Sequence, residues 1–242
     1  MPDANANSEG EQAIAVAGRR VLSLALVAGH IDAVGLLDLG GVIHIAAMTG
    51  NTVQAAITAI RGQWPHLALL ATTLAAFFCG GVVASWIRRR LRHPPCELFI
   101  MTALVLAAQL VRSCLSTPLA IELPLLAVAT AMQGQTISRF GGLPIQTIVV
   151  TNNLLKLGDA IAGRYLCGSP KAKAGGECIR ASQGEVILPA CAWVGYALGA
   201  GAGALAALHL QLPLVPPALF LIFIACDLLG VRGRVIPIRN SR

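Results

Sequence analysis

The sequence predicts an all-α, polytopic membrane protein made of two related halves, and three observations carry that expectation. Of 242 residues, 56% are hydrophobic and only 12% are charged, about half the charged share of a soluble domain. Mean hydropathy is +0.72, which leaves too little polar surface for one or two water-soluble domains. Eight apolar segments follow one another, near 21–39, 42–60, 66–87, 98–115, 120–138, 141–160, 186–209 and 214–231. Finally, Met48-Thr49-Gly50-Asn51-Thr52 in the second segment returns, degraded, as Val150-Thr151-Asn152-Asn153-Leu154 in the sixth, 102 residues later.

Residues 1–18 are polar or small and are expected to form a disordered tail. Arg19-Arg20 then precede an apolar run, a pattern shared by signal peptides and twin-arginine signals. No small-x-small cleavage site follows and the run continues, so an uncleaved first span is expected. Most segments hold enough residues to cross a core of about 30 Å at about 1.5 Å per residue. Small residues in the third segment (Gly80, Gly81, Ala84, Ser85) and the seventh (Gly195, Gly199, Gly203) predict close helix packing, inside the fold or across a homodimer. Gly40-Gly41 recurs as Gly141-Gly142, and Asp32 has Gln133 and Gln135 near its corresponding place. Segments one to four therefore repeat as five to eight. The expected organisation is one membrane domain, 19–232, with halves of about 19–116 and 117–232. A loop near 163–184 and a cytoplasmic tail, 233–242, complete it.

Charge decides the expected path. If all eight segments cross, as a parallel repeat, Lys and Arg divide 11 to 5 between the two sides, Arg112 and Lys156 set aside. If segments two and six enter and leave on one side, six full spans remain. Sixteen of the 18 basic residues then share a face, with Arg61 opposite and Arg112 within a span. The positive-inside rule favours the second path, with both termini cytoplasmic. Three spans per half is an odd number, so the halves are inverted and the two polar segments meet from opposite faces.

The net charge of +7 sits at the ends of apolar runs. With no basic patch interleaved with aromatics and no Gly-rich phosphate loop, nucleic acid is not an expected partner. The lipid bilayer is. The seven cysteines form no CxxC pair, and read as small buried hydrophobes. Cys167 and Cys178 flank a Gly-rich loop, but the odd count and a cytoplasmic setting argue against a disulfide.

Hydroxyls and amides at membrane depth need partners there. Thr49, Gly50 and Asn51, with Thr151, Asn152 and Asn153, suit broken helices that present polar groups to a cavity. Asp32, mid-segment, costs at least ~3 kcal/mol at that depth unless it is paired, solvated or protonated. Its expected role is a polar cavity or coupling site, or a structural partner to a helix start. Asp227, surrounded by apolar residues, is the second coupling candidate. Lys156 with Asp159 reads as a local ion pair, with a gate or coupling pair as the alternative, and Arg112 either snorkels to the interface or pairs with Glu122. The expected route for a small polar solute or ion runs between the halves, lined by Asp32, Thr49, Asn51, Gln133, Gln135, Thr151, Asn152 and Asn153. An embedded enzyme using Asp32, His30 and His44 is the alternative, and a non-catalytic scaffold subunit is a third. The histidines match no metal-ligand spacing, so neither a metal nor a cofactor is expected.

The runs Ala28-Gly29-His30-Ile31-Asp32-Ala33-Val34-Gly35, Gly40-Gly41-Val42 and Ala47-Met48-Thr49-Gly50-Asn51-Thr52 resemble the YoaK-like, or DUF1275, family of bacterial membrane proteins of unknown function. Ala131-Met132-Gln133-Gly134 and Val150-Thr151, with Leu157 and Gly158 beyond, resemble its second signature. The resemblance covers about residues 20–232 and departs at Asn152, where the family pattern has Gly. It implies a polytopic inner-membrane protein, and supplies neither reaction nor substrate.

Overall fold

The computed structural model describes residues 3–38, 43–91, 94–115, 118–136, 139–140, 143–145, 147–148, 150–166 and 181–232. They form eight helices: α1 Asp3–Asp38, α2 Met48–Ile60, α3 Trp64–Leu91, α4 Pro94–Cys114, α5 Leu119–Thr136, α6 Val150–Ile161, α7 Gln183–His209 and α8 Val215–Arg232. A π-helical turn, Ala162–Leu166, ends α6, and two-residue strands, Arg139–Phe140 and Leu143–Pro144, pair antiparallel. The protein is all-α.

Local chemistry sets several ends. Gly62 takes φ +68°, the left-handed turn that ends α2 and lets α3 begin at Trp64. Ser182 and Glu185 form a capping box at the start of α7, the Glu185 carboxylate accepting from the Ser182 N–H at 2.6 Å. The tail expected over 1–18 is corrected: from Asp3 it is the start of α1. Its alanines, glutamates and glutamine have high helix propensity, and extending an existing helix needs no new nucleus.

Among the described residues, Gln12–Leu37, Trp64–Arg90, Cys96–Cys114 and Gln183–His209 are long and apolar enough to cross a membrane. The 18-residue α5 and α8 are about 27 Å long. The 13-residue α2 and 12-residue α6 reach only about 20 Å and 18 Å, short of a ~30 Å core. Residues 43–47 of the first polar segment, and 143–145 and 147–148 of the second, are non-helical lead-in, as broken or re-entrant segments require. The doubled glycines 40–41 and 141–142, and the Cys167–Cys178 pair, lie outside the described residues.

Packing obeys the repeat. Exchanging α1 with α5, α2 with α6, α3 with α7 and α4 with α8 maps each main helix contact onto another. The α1–α7 pair becomes α5–α3, α2–α3 becomes α6–α7, and α1–α8 becomes α5–α4, while α4–α8 maps to itself. Small residues permit the closest of these contacts. A Cβ on Gly199 would lie 2.0 Å from the Leu26 carbonyl oxygen, and one on Gly80 2.8 Å from the Cα of Val128.

The contacts also give the direction of each helix. Gly195 meets Leu22, Gly199 meets Leu26 and Gly203 meets His30, so α1 and α7 run parallel. Gly80 meets Val128 and Arg88 donates to the Gln135 carbonyl at 2.6 Å, so α3 and α5 do too. Toward the end of α1, His30 bonds the Pro213 carbonyl at 2.8 Å. Gln109, near the end of α4, accepts from the Leu214 N–H at 2.9 Å. Arg112 pairs with Glu122 at 3.2 Å, as its position suggested, tying the end of α4 to the start of α5. The ends of α1 and α4 and the starts of α5 and α3 therefore share one face. Helix α2 leaves and returns to that face. By the same contacts α5 ends and α7 starts at the opposite face, where Arg19, Arg20 and Arg88 lie, so α6 returns there. The two short helices enter from opposite sides, which makes the halves an inverted pair.

Candidate functional site

The lead-in to α2, residues 43–47, is irregular backbone in which the N–H and C=O groups of His44, Ile45 and Ala46 each find a partner. Asp32 Oδ1 accepts the N–H of Ile45 at 2.6 Å and of Ala46 at 2.8 Å. The Thr130 hydroxyl of α5 donates to the Ile45 carbonyl at 3.2 Å. Asn51, fully buried, closes on His44 from below: its Oδ1 accepts the His44 N–H at 2.8 Å and its amide nitrogen donates to the His44 carbonyl. Asp32 Oδ2 accepts from the Tyr196 hydroxyl of α7 and faces His44 Nδ1 at 3.8 Å. Burying a carboxylate to 6% exposure is tolerable here because donors converge on both of its oxygens.

The second half repeats the construction in neutral form. Gln133 stands 101 residues after Asp32, the same offset as the doubled glycines. Its amide nitrogen donates to the Leu24 carbonyl at 2.6 Å and to the Thr147 hydroxyl at 3.1 Å, in the lead-in to α6. Each long helix that precedes a short one thus grips that short helix's lead-in.

The two motifs come together. A cavity of about 650 Å³ is lined by Met48, Thr49 and Gly50 from the first copy and by Val150 and Thr151 from the second. Asp32, His44 and Tyr196 complete its polar wall. Both short helices present their N-terminal ends to this space, and an N-terminal end carries the positive pole of the helix dipole.

The expected lining divides into residues that reach the cavity and residues that do not. Asp32, Thr49, Gly50 and Thr151 border it. Asn51 does not, since its amide is committed to His44. Asn153 is buried and Asn152 half-buried, and neither lines the cavity. Gln133 is committed to the second lead-in, and Gln135 borders a separate cleft of about 680 Å³ along α3, with Phe78 and Trp86. Asp227 pairs with Arg19 at 2.8 Å, with Arg20 at 3.8 Å. That pair sits 13 residues before Asp32 along α1, about 20 Å away. His30 turns to Pro213 and does not join Asp32 and His44. Among the described residues no three ligand-type side chains group to hold a metal.

Tyr196, Thr130 and Thr147 escaped the sequence reading. Tyr196 carried a usable signal, because a tyrosine within an apolar span must find a partner for its hydroxyl. Thr130 carried none, because helical hydroxyls commonly bond their own backbone, as Thr130 also does with Leu126 at 3.0 Å.

No curated protein and no solved structure matches the chain. The model of a family described as proteins of unknown function, DUF1275, matches residues 21–226. With 242 residues in all, that is most of the sequence, and the chain belongs to the DUF1275 family.

Proposed function

We propose that the protein is a transporter or channel for a small polar solute or ion, embedded in a bacterial inner membrane with both termini cytoplasmic. The observation that carries this reading is the shared cavity. Two motif copies, on short helices entering from opposite faces, border one space of about 650 Å³, whose lining sets Asp32, His44, Thr49, Thr151 and Tyr196 among mostly apolar neighbours. Such discontinuous helices at membrane depth are the way inverted-repeat transporters build solute sites. The gathering of Arg19, Arg20 and Arg88 at one face supports a cytoplasmic assignment for that face. An embedded enzyme is less well supported, since His30 is held away from Asp32 and His44.

Purified protein in liposomes provides the test. Currents on a solid-supported membrane, with light-scattering swelling for uncharged solutes, would be recorded against chloride, formate, bicarbonate, ammonium, urea and glycerol. The reading expects at least one solute to move, and Thr49→Val with Thr151→Val to reduce that flux about tenfold or more, an effect on the order of 1.4 kcal/mol. Flux that is identical in the double variant would remove the cavity from the route.

A further inference from the structure

Of the side chains lining the cavity, one ionises near neutral pH, and its surroundings hold it in place. Asn51 engages both backbone groups of His44. Gly50 leaves room beside the ring, where a Cβ would come within 3.3 Å of His44 Cδ2. Nδ1 faces Asp32 Oδ2 at 3.8 Å. The His44 side chain is 35% exposed, against 8% for Asp32. The carboxylate already accepts from Ile45, Ala46 and Tyr196. A carboxylate so fully engaged serves as a fixed anion, and the accessible ring beside it is the group that can trade protons with water.

We propose that His44 is the proton-binding group of the cavity, that Asp32 is its positioning counter-anion, and that passage through the cavity is coupled to protons. The last clause rests on the transport reading. A proton from water on the open side adds to the unprotonated ring nitrogen of neutral His44. The imidazolium is balanced by Asp32, and the same proton later leaves to water on the other side. One N–H bond forms and one breaks, with no other change. The remaining titratable groups facing His44 are Asp32 from α1 and Tyr196 from α7. Phe77 of α3, Thr130 of α5, and Ile148, Val150 and Thr151 from the α6 side do not titrate in this range, nor do Met48, Thr49 and Gly50 of α2.

The test is a titration of histidine-15N protein in lipid nanodiscs from about pH 5 to 9, a range that brackets the ordinary imidazole value. The His44 signals are assigned by their loss in His44→Gln. His44 is expected to titrate within that range, and Asp32→Asn to weaken its proton affinity about tenfold or more. Tyr196→Phe removes a competing donor from Oδ2 and is expected to strengthen it. A merely structural role would not move the two variants in opposite directions. Should Asp32→Asn fail to fold, Tyr196→Phe decides alone. A His44 ring that does not titrate, or that Tyr196→Phe leaves unmoved, overturns the proposal. Pyranine-loaded liposomes under a potassium–valinomycin potential separate the coupling from the site. Proton uptake lost in His44→Gln supports the coupling, and uptake unchanged in that variant overturns it. A wild type that moves neither protons nor any test solute, with the titration intact, overturns the transport reading and leaves the proton site standing.

Discussion

The two lead-ins, 43–47 before α2 and the stretch with Ile145, Thr147 and Ile148 before α6, perform one task with different chemistry. In the first half a carboxylate grips two backbone amides and a tyrosine hydroxyl, with a histidine facing it. In the second a neutral glutamine grips a threonine hydroxyl and a carbonyl. The repeat preserves the place of the grip, and charge is confined to one half. The charged half can then respond to pH, while the neutral half supplies shape.

Substitutions can break this comparison, beginning with the frame that both lead-ins hang on. Gly199→Val would press a side chain into the Leu26 carbonyl, where even a Cβ falls 2.0 Å away. It should abolish folded protein in size-exclusion profiles, whereas Gly201→Val, with nothing within 4 Å, should leave them unchanged. Asp32→Ala comes next. It strands two buried N–H groups and the Tyr196 hydroxyl at about 1–3 kcal/mol each, so a loss of several kcal/mol is expected, seen as a large fall in Tm in detergent. Gln133→Ala strands fewer groups, and its expected loss is about 1–3 kcal/mol. Equal Tm losses in these two variants would dissolve the distinction between a charged and a neutral grip.

The smallest effect is a pH dependence. A protonated His44 pairs with Asp32, whose Oδ2 lies 3.8 Å from Nδ1, and that pairing is lost as rising pH deprotonates the ring. Wild-type Tm should therefore fall on going from about pH 6 to 8.5 by more than that of His44→Gln. The ring's exposure keeps the difference small. The neutral second grip contributes no such term.

Much of this was readable in the chain, and particular residues show why the rest was not. The polar Thr-Asn copies and the distribution of arginines were enough to expect two short helices entering from opposite faces, because charge placement is a topological signal. Asp32 stood out because a carboxylate at that depth demands partners. Which partners it takes depends on contacts such as that between α1 and α7, so Tyr196 could not be assigned from spacing. Asn51 showed only that it can donate and accept, and the fold turns both capacities onto His44. Gln133 and Gln135 were indistinguishable as amides, but two residues apart on a helix they face different ways. Asp227 looked isolated among apolar neighbours until folding brought Arg19 to it.

The account stands on one spatial claim, that the two motif copies meet. It is tested by placing single cysteines at Thr49 and Thr151 in protein lacking its native cysteines, with a protease site between α3 and α4. Membranes are treated with a short bifunctional thiol reagent, cleaved and run on a denaturing gel. The account predicts that the two fragments stay joined, and that each single-cysteine control separates. Fragments that separate in the double variant, with both thiols shown to react, would contradict a shared cavity and the inverted meeting of the halves.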